Sequence, residues 1–179
     1  MIVGVPKEIK NNEYRIGLTP KSVEEITSIG HDVYVENNAG FEIGYTNQNY
    51  IESGAKIINS AEEVYKSSEL IVKVKEPLSS EFNFINKDNI FFTYLHLAGN
   101  KDESIELAKT GVTGIAYETV TSDDGSLPLL SPMSSIAGQL SIIVGSYNLL
   151  KHNNGKGTLL GNVSNLEPRV VTCLLYTSP

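Results

Sequence analysis

The run Leu70-Ile-Val-Lys-Val74 is rich in β-branched residues and suits a central β-strand. On both sides of it, within the first 120 residues, short apolar runs alternate with longer helical patterns. This alternation is typical of a parallel sheet whose strands are joined by crossover helices. The sequence therefore predicts an α/β fold built on a doubly wound, mostly parallel sheet.

Local signals divide this part of the chain into strands and helices. Thr19-Pro20 opens a helix with Pro at its first position, Thr46 can cap a second helix, and Ser60-Ala-Glu-Glu63 is a capping box for a third. A further helix is expected over residues 101–109. Strands are predicted over residues 2–5, 32–36, 55–58, 70–74, 89–93 and 112–116. This order indicates a Rossmann-like or flavodoxin-like architecture.

The alternation stops at Val120. The cluster Thr121-Ser-Asp-Asp-Gly-Ser126 predicts a β-hairpin that turns at Asp124-Gly125. Residues 132–152 then form the longest helical pattern in the chain, and Glu167-Pro-Arg-Val-Val171 predicts one more strand. We expect a first domain over residues 1–128, a connecting helix and linker over residues 129–168, and the beginning of a second domain at residues 169–179.

The composition argues against several classes of protein. The 179 residues carry a formal net charge of −7, so the clustered Lys and Arg of a general nucleic-acid binder are lacking. No run approaches ~18 apolar residues, and the N-terminus lacks the pattern of a signal peptide, so we expect no membrane span and a cytoplasmic location. The single Cys173 excludes an internal disulfide, and the histidines lack partners at metal-ligand spacing.

Polar side chains follow several of the predicted strands. In open α/β sheets ligands bind beyond the carboxyl ends of the strands, so residues at these positions are candidates for a site. An Arg offers a planar fork for a carboxylate, a Lys offers a point charge, and a His can move protons near neutral pH. The pattern predicts a site for a small carboxylic acid undergoing proton-coupled chemistry. The candidates are Arg15, Lys75, His96 and Glu118.

The two cationic candidates also have structural interpretations. Arg15 can be a solvated turn residue beside Glu13, since surface ion pairs are common and weak. Lysines are mostly exposed, and Lys75 alternates with Lys73 along a predicted strand. One of these two lysines is therefore expected at the surface.

The other two candidates, His96 and Glu118, also have structural interpretations. His96 lies in the apolar stretch Tyr94-Leu-His-Leu-Ala98 and can be a buried structural residue, while Glu118 can cap or brace a turn.

Gly155-Lys-Gly-Thr158 lacks the spacing of a phosphate-binding loop and is interpreted as a helix-ending turn. No Gly-x-Gly-x-x-Gly is present in the sequence.

Several motifs together resemble one family. The beginning of the chain, with Val3-Gly-Val-Pro-Lys-Glu8 and Asn12-Glu-Tyr-Arg-Ile16, resembles alanine dehydrogenases and the related nicotinamide nucleotide transhydrogenase alpha subunits. The resemblance covers about residues 1–171. His96 favours the alanine dehydrogenase branch, because the transhydrogenase branch carries a Trp-Pro-containing stretch there. Further matching motifs are Ile71-Val-Lys-Val-Lys-Glu-Pro77, Thr93-Tyr-Leu-His-Leu-Ala98, Ala116-Tyr-Glu-Thr-Val120 and Leu130-Ser-Pro-Met-Ser134.

The resemblance implies reversible, NAD-dependent oxidative deamination of L-alanine to pyruvate and ammonia. It implies a homo-oligomer, a hexamer, while the composition argues against a nucleic-acid or membrane partner. Residues 1–128 would be the substrate domain. In this family Arg15 and Lys75 would hold the substrate carboxylate and carbonyl region, His96 would be the acid/base group, Ser134 would contact NAD, and Glu118 and Met133 would support them.

The chain also departs from the family pattern. Ser135 and Gln139 stand where the family has an acidic residue and an Arg. After Val171 the family continues into the glycine-rich loop that binds the pyrophosphate of NAD, whereas this chain ends in Thr172-Cys-Leu-Leu-Tyr-Thr-Ser-Pro179. We therefore expect an N-terminal fragment in which residues 169–179 are the truncated start of the NAD-binding domain and residues 172–179 are not native family sequence.

Two other functions remain open. The nearer one is a transhydrogenase alpha-subunit domain, which would be encoded together with membrane spans. The more distant one is a non-catalytic domain that binds an amino acid or a keto acid, and such a domain would bind pyruvate or alanine without NAD.

Overall fold

The computed structural model of the chain describes residues 1–161, 164, 167 and 169–172. The chain divides into two units, Met1–Val120 and Thr121–Pro179. The first unit contains the sheet and the second contains the long helix. The predicted domain limits at residues 128 and 168 remain predictions.

A six-stranded, all-parallel sheet forms the centre of the first unit. Its order is β3-β2-β1-β4-β5-β6, which is the order of the Rossmann fold. The predicted doubly wound parallel sheet is confirmed, and the six strands predicted within the first 120 residues are present with their ends within two residues. The strands are β1 (Ile2–Val5), β2 (Asp32–Glu36), β3 (Lys56–Ile58), β4 (Leu70–Val72), β5 (Ile90–Thr93) and β6 (Thr113–Ala116).

The helices of this unit begin where the sequence predicts them. The side chain of Thr19 accepts a hydrogen bond from the N–H of Ser22, and Ser60 accepts one from the N–H of Glu63. Thr46 forms a complete capping box. The connection from β4 to β5, residues 73–89, contains no helix and carries several polar residues instead. The helices are α1 (Pro20–Ser28), α2 (Asn47–Glu52), α3 (Ala61–Ser67) and α4 (Lys101–Thr110).

Hydrophobic clusters cover both faces of the sheet. Neighbouring residues of β4 belong to different clusters, Ile71 to one and Val72 to the other, because side chains alternate across a strand. Full burial of a Val, Ile or Phe side chain stabilises the fold by roughly 1.5–3 kcal/mol. The first cluster includes Val5, Val23, Val33 and Val35, and the second includes Val64, Tyr65, Phe91 and Leu107. β4 is therefore a central strand with both faces covered.

The second unit contains a long helix, α5 (Ser131–Leu149), as predicted. It is followed by a short 3-10 turn, Lys151–Asn153. Although α5 is rich in apolar residues, no helix in the described part of the chain combines the length and hydropathy that crossing a bilayer requires.

Of the β-hairpin predicted at Asp124-Gly125, the turn is observed but the two flanking strands are not. The turn is present, since Gly125 has φ +81° and the N–H of Ser122 donates to the carbonyl of Ser126 over 2.9 Å. No strand flanks it among residues 1–161. The Asp124 carboxylate accepts from the N–H of Ser126, and this local bond closes the turn without a cross-strand ladder.

The strand predicted over residues 167–171 is not observed either. The described residues of this segment, Glu167 and residues 169–171, have no regular secondary structure. A strand requires a neighbour that accepts and donates its hydrogen bonds, and none of the described residues pairs with this segment. Pro168 and residues 173–179, including Cys173 and most of the predicted non-native tail, lie outside the described residues.

Candidate functional site

In a sheet with this strand order, a crevice is expected at the carboxyl edge, at the point where the direction of the crossovers changes. From β1 the chain crosses to β2 on one side, whereas from β4 it crosses to β5 on the other. Ligands of open α/β sheets bind at such a topological switch point. The loop after β1 carries Arg15 and the loop after β4 carries Lys75, so both cationic candidates lie at the switch point. His96 and Glu118 follow β5 and β6 at the same edge.

Arg15 forms a two-pronged ion pair with Glu13. Its Nε donates to Oε1 of Glu13 over 2.8 Å and its Nη2 donates to Oε2 over 2.5 Å. The Arg15 side chain is 47% exposed, but the Glu13 side chain is only 7% exposed, so the pair is not a fully solvated one. Hydrogen bonds from Arg15 lower the pKa of Glu13, and the charge of Lys75 lowers it further. Arg15 and Lys75 therefore act on the same carboxylate.

Lys75 is held through its backbone. Its N–H donates to Oε1 of Glu8 over 3.2 Å, and its carbonyl accepts from the hydroxyl of Thr93 over 2.9 Å. The side chain is partly buried. In the part of the chain that the structure describes, the Lys75 ammonium forms no ion pair with a carboxylate. Its charge is thus available to an incoming oxygen.

The two lysines differ in burial, since Lys73 is buried and Lys75 is partly exposed. Lys73 is 1% exposed, and its ammonium pairs with Glu81 at 2.5 Å and with Glu8 at 3.7 Å. Lys73 directly follows β4, whose residues Ile71 and Val72 belong to the clusters on the two faces of the sheet, so its side chain is enclosed by protein. The sequence reasoning missed Lys73, Glu8 and Glu81 as parts of this region. The signal was a lysine inside an otherwise apolar, β-branched run.

His96 is exposed and has a left-handed backbone, with φ +46°. Its N–H donates to Oε1 of Glu118 over 2.7 Å. Its imidazole lies against Gly99, where an added Cβ would collide with Nε2. The interpretation of His96 as a buried structural residue is wrong, because β5 ends at Thr93 and the chain has already turned out of the core.

Glu118 braces the His96 turn from the neighbouring strand. It lies in the short 3-10 turn Tyr117–Thr119 that follows β6. One carboxylate oxygen holds the N–H of His96, and the other, Oε2, is buried without a hydrogen-bond partner among the described residues. Burying this second oxygen without a partner costs free energy, so the position that lets Glu118 hold His96 carries a penalty.

Tyr94 is a further member of the site that the sequence reasoning did not select. Its ring packs edge-on against Tyr117 with a centroid separation of 5.0 Å. Burial raises the pKa of Tyr94, while the charge of Arg15 lowers it and that of Glu118 raises it. Tyr94 is therefore within electrostatic range of both residues. Its position two residues before His96, just past the end of a strand, was the available signal.

Ser134 and Met133 belong to the second unit. Both lie in the first turn of α5, and both of their N–H groups donate to the carbonyl of Leu130. Both residues are partly exposed. The first unit brings together Arg15, Lys75, His96 and Glu118, whereas Ser134 and Met133 are placed by a separate element.

The crevice of the first unit does not fit the pyrophosphate of a dinucleotide. In a Rossmann fold the turn after β1 is glycine-rich and approaches the phosphates, but here it reads Pro6-Lys-Glu8. The Glu8 carboxylate is buried beside the switch point and would repel a phosphate. The crevice instead offers Arg15 and Lys75, which suit one small carboxylate.

A family model described as "Alanine dehydrogenase/PNT, N-terminal domain" matches residues 4–137. An alanine dehydrogenase of Methanococcus maripaludis is 50% identical over 171 residues, which are 96% of this chain and 46% of that protein. The chain thus spans about half the length of the curated relatives it matches.

Solved structures agree with the sequence matches. One described as an L-alanine dehydrogenase has a TM-score of 0.82 and 47% identity, covering 94% of this chain and 46% of the other. A transhydrogenase from Sinorhizobium meliloti has a TM-score of 0.73 and 27% identity, covering 83% and 43%. These similarities confirm the family that the motifs predict. The chain belongs to the alanine dehydrogenase/PNT family and contains its N-terminal domain.

Proposed function

We propose that the chain is the substrate-binding and acid/base half of an alanine dehydrogenase, which interconverts L-alanine with pyruvate and ammonia in an NAD-dependent reaction. The observation that carries this proposal is the placement of Arg15 and Lys75 at the switch point, where both lower the pKa of Glu13. His96 lies at the same edge of the sheet. The greater similarity to alanine dehydrogenases than to the transhydrogenase supports the choice of reaction.

Arg15 and Lys75 bind and orient the substrate. The planar guanidinium of Arg15 suits the carboxylate that alanine and pyruvate share. The Lys75 ammonium is a compact charge that suits the carbonyl oxygen of pyruvate. Holding the acid at two points fixes the carbon that reacts, and this positioning is the main contribution a protein makes to such a reaction.

His96 moves protons. Water must add to the imine carbon and ammonia must leave, so one group has to take a proton from the attacking water and deliver it to the departing nitrogen. An imidazole performs both steps near neutral pH. The exposure of His96 suits this role, because the side chain is accessible while the backbone N–H is held by Glu118.

NAD supplies the hydride acceptor when it is bound. The described residues offer it little, since the crevice of the first unit does not suit a pyrophosphate. Ser134 at the start of α5 can give one hydrogen bond, with Met133 beside it, and the rest of the cofactor site would lie in the half of the protein that the relatives have and this chain does not span. A cytoplasmic homo-oligomer, with the hexamer as the expected form, completes the proposal.

The test is L-alanine-dependent reduction of NAD by the product of the complete reading frame. We expect turnover by the full-length protein, loss of it on His96→Ala, and none by the 179-residue chain alone. His31→Ala is the matched control, because His31 lies before β2, at the opposite edge of the sheet. Turnover by the isolated chain, or an active His96→Ala protein, would refute the proposal. Binding of pyruvate without any NAD-linked turnover would instead support a binding domain.

A further inference from the structure

The chain that follows β4 extends beyond its neighbour β1. β1 ends at Val5, whereas hydrogen bonding toward β5 continues past the end of β4. The N–H of Lys73 donates to the carbonyl of Phe92 over 3.2 Å, and the N–H of Tyr94 donates to the carbonyl of Val74 over 3.3 Å. On its other side this extension has no strand to pair with.

The carboxylate of Glu8 takes the place of the missing strand. Its Oε1 accepts from the N–H of Val74 over 2.6 Å and from the N–H of Lys75 over 3.2 Å. The carbonyl of Lys75 is held from the other side by the hydroxyl of Thr93. Both peptide groups of Lys75 are thus fixed by side chains from two other segments.

Lys73 holds the Glu8 carboxylate in place. Its ammonium, 1% exposed, lies 3.7 Å from Oε2 of Glu8 and 2.5 Å from Oε1 of Glu81. Glu81 also accepts from the hydroxyl of Tyr65 and from the N–H of Leu78. Buried charges persist only when they are paired and hydrogen-bonded, and these three form such a network.

Ionising Glu8 in this buried position costs free energy. Burial raises the pKa of Glu8, and Lys73 and the N–H groups of Val74 and Lys75 offset only part of that effect. A carboxylate whose folded pKa is raised destabilises the folded state above that pKa, and the penalty disappears as the pH falls through it.

The loop that contains Glu8 also contains Arg15. It packs directly on the end of β4, because a Cβ on Gly17 would collide with the carbonyl of Val72. One loop thus carries the Arg15 guanidinium and also the carboxylate that fixes Lys75. The position of the Arg15 guanidinium relative to the Lys75 backbone is therefore set by the loop after β1.

We propose that Glu8 is a positioning residue for Lys75: anchored by Lys73, it fixes the Lys75 backbone and so sets where the Lys75 ammonium meets a substrate oxygen relative to Arg15. The inference rests on the proposed function for its catalytic consequence. Its structural half, the hold on Lys75, is independent of the reaction.

The test uses Glu8→Gln with a matched control. Glu8→Gln keeps the size of the side chain and leaves Lys73 paired with Glu81, one charge against one, so the fold is retained. The control is Glu69→Gln. Glu69 also holds a strand N–H, that of Ile2 over 2.7 Å, but at the opposite end of β4.

In the full-length protein we expect Glu8→Gln to raise the KM for pyruvate about tenfold, because a neutral amide holds the Lys75 peptide less well than a carboxylate. The kcat and the KM for NADH should stay within about twofold, since only substrate placement changes. In the 179-residue chain, amide hydrogen exchange at Val74 and Lys75 should speed up. Glu69→Gln should change none of these.

An unchanged pyruvate KM in a folded Glu8→Gln protein would overturn the proposal, and so would an equal effect of Glu69→Gln or unchanged exchange at Lys75. If the wild-type protein does not turn over pyruvate, the proposed function falls, while the exchange data still decide whether Glu8 holds Lys75. If circular dichroism shows that Glu8→Gln is unfolded, Glu8→Asp, which keeps the charge but withdraws the carboxylate, takes its place with the same expectations.

Discussion

The backbone N–H of His96 donates to Oε1 of Glu118 over 2.7 Å, and this bond joins the chain after β5 to the turn after β6. His96 has a left-handed backbone, which costs about 1–3 kcal/mol for a residue other than Gly. A hydrogen bond to a charged acceptor contributes about 1.5–3 kcal/mol and offsets that cost. Glu118 therefore stabilises the conformation from which the imidazole is presented.

Glu118→Ala should impair catalysis more than folding. Without its acceptor, the His96 turn relaxes and the imidazole moves, and a misplacement of about 1 Å lowers kcat on the order of 10²-fold. Steady-state kinetics of the full-length protein measure this effect. Glu106→Ala, on the exposed face of α4, is the control and should leave kcat unchanged. An unaltered kcat in Glu118→Ala would show that the turn holds without the bond.

Gly99→Ala should displace the His96 ring. The added Cβ would collide with Nε2, so the ring must rotate away and kcat should fall by about tenfold or more. Gly145→Ala is the matched control, because no atom lies near its added Cβ and alanine favours the α5 helix. NMR of the His96 ring in both variants would report the displacement directly. A ring signal that does not move would contradict the expectation.

Arg15→Lys should weaken pyruvate binding by about 10-fold or more, although the charge is conserved. The planar guanidinium makes two parallel hydrogen bonds with Glu13, and its fork geometry also suits the carboxylate of a substrate. A lysine cannot reproduce this geometry. Calorimetry with pyruvate measures the change. Lys56→Arg, at an exposed ion pair with Asp32, should have no effect, and an equal loss there would assign the effect to general charge.

The stability contributed by the Arg15–Glu13 pair should depend on pH. Hydrogen bonds from Arg15 lower the pKa of Glu13 below its ordinary value of 4.5. The stabilisation is therefore present above pH 4.5 and is lost as the pH falls through the lowered pKa. Urea unfolding of the wild type and Arg15→Ala should show a difference that shrinks in this window. A difference that stays constant through it would mean that Arg15 acts through packing instead.

Elements with local signals could be predicted from the sequence. The strand at residues 2–5 and the helix capped by Thr19 are marked by a short apolar run and by a capping residue followed by Pro, and both signals act within a few residues. The hairpin at Asp124-Gly125 shows the limit of such signals. Its turn formed because it needs only local bonds, but its arms would have needed a partner strand.

Only some residues of the candidate site could likewise be predicted from the sequence. Arg15, Lys75, His96 and Glu118 could be selected because each follows a strand, and the ends of parallel strands meet at one edge. Glu8 and Lys73 could not. Glu8 lies 66 residues before Val74, whose N–H it accepts, and nothing in either segment indicates the other. Tyr94 was passed over because its neighbours come from the loop after β1 and the turn after β6.

The sequence by itself determined the α/β class, the ends of most strands and helices, the family and the principal polar candidates, because periodicity, capping and motif order are properties of short segments. The tertiary structure decided the strand order, the burial of Lys73, the ion pair of Arg15 with a mostly buried Glu13, and the brace between Glu118 and His96. These features depend on which strand ends lie side by side, and burial then makes each charge select a partner far away in sequence.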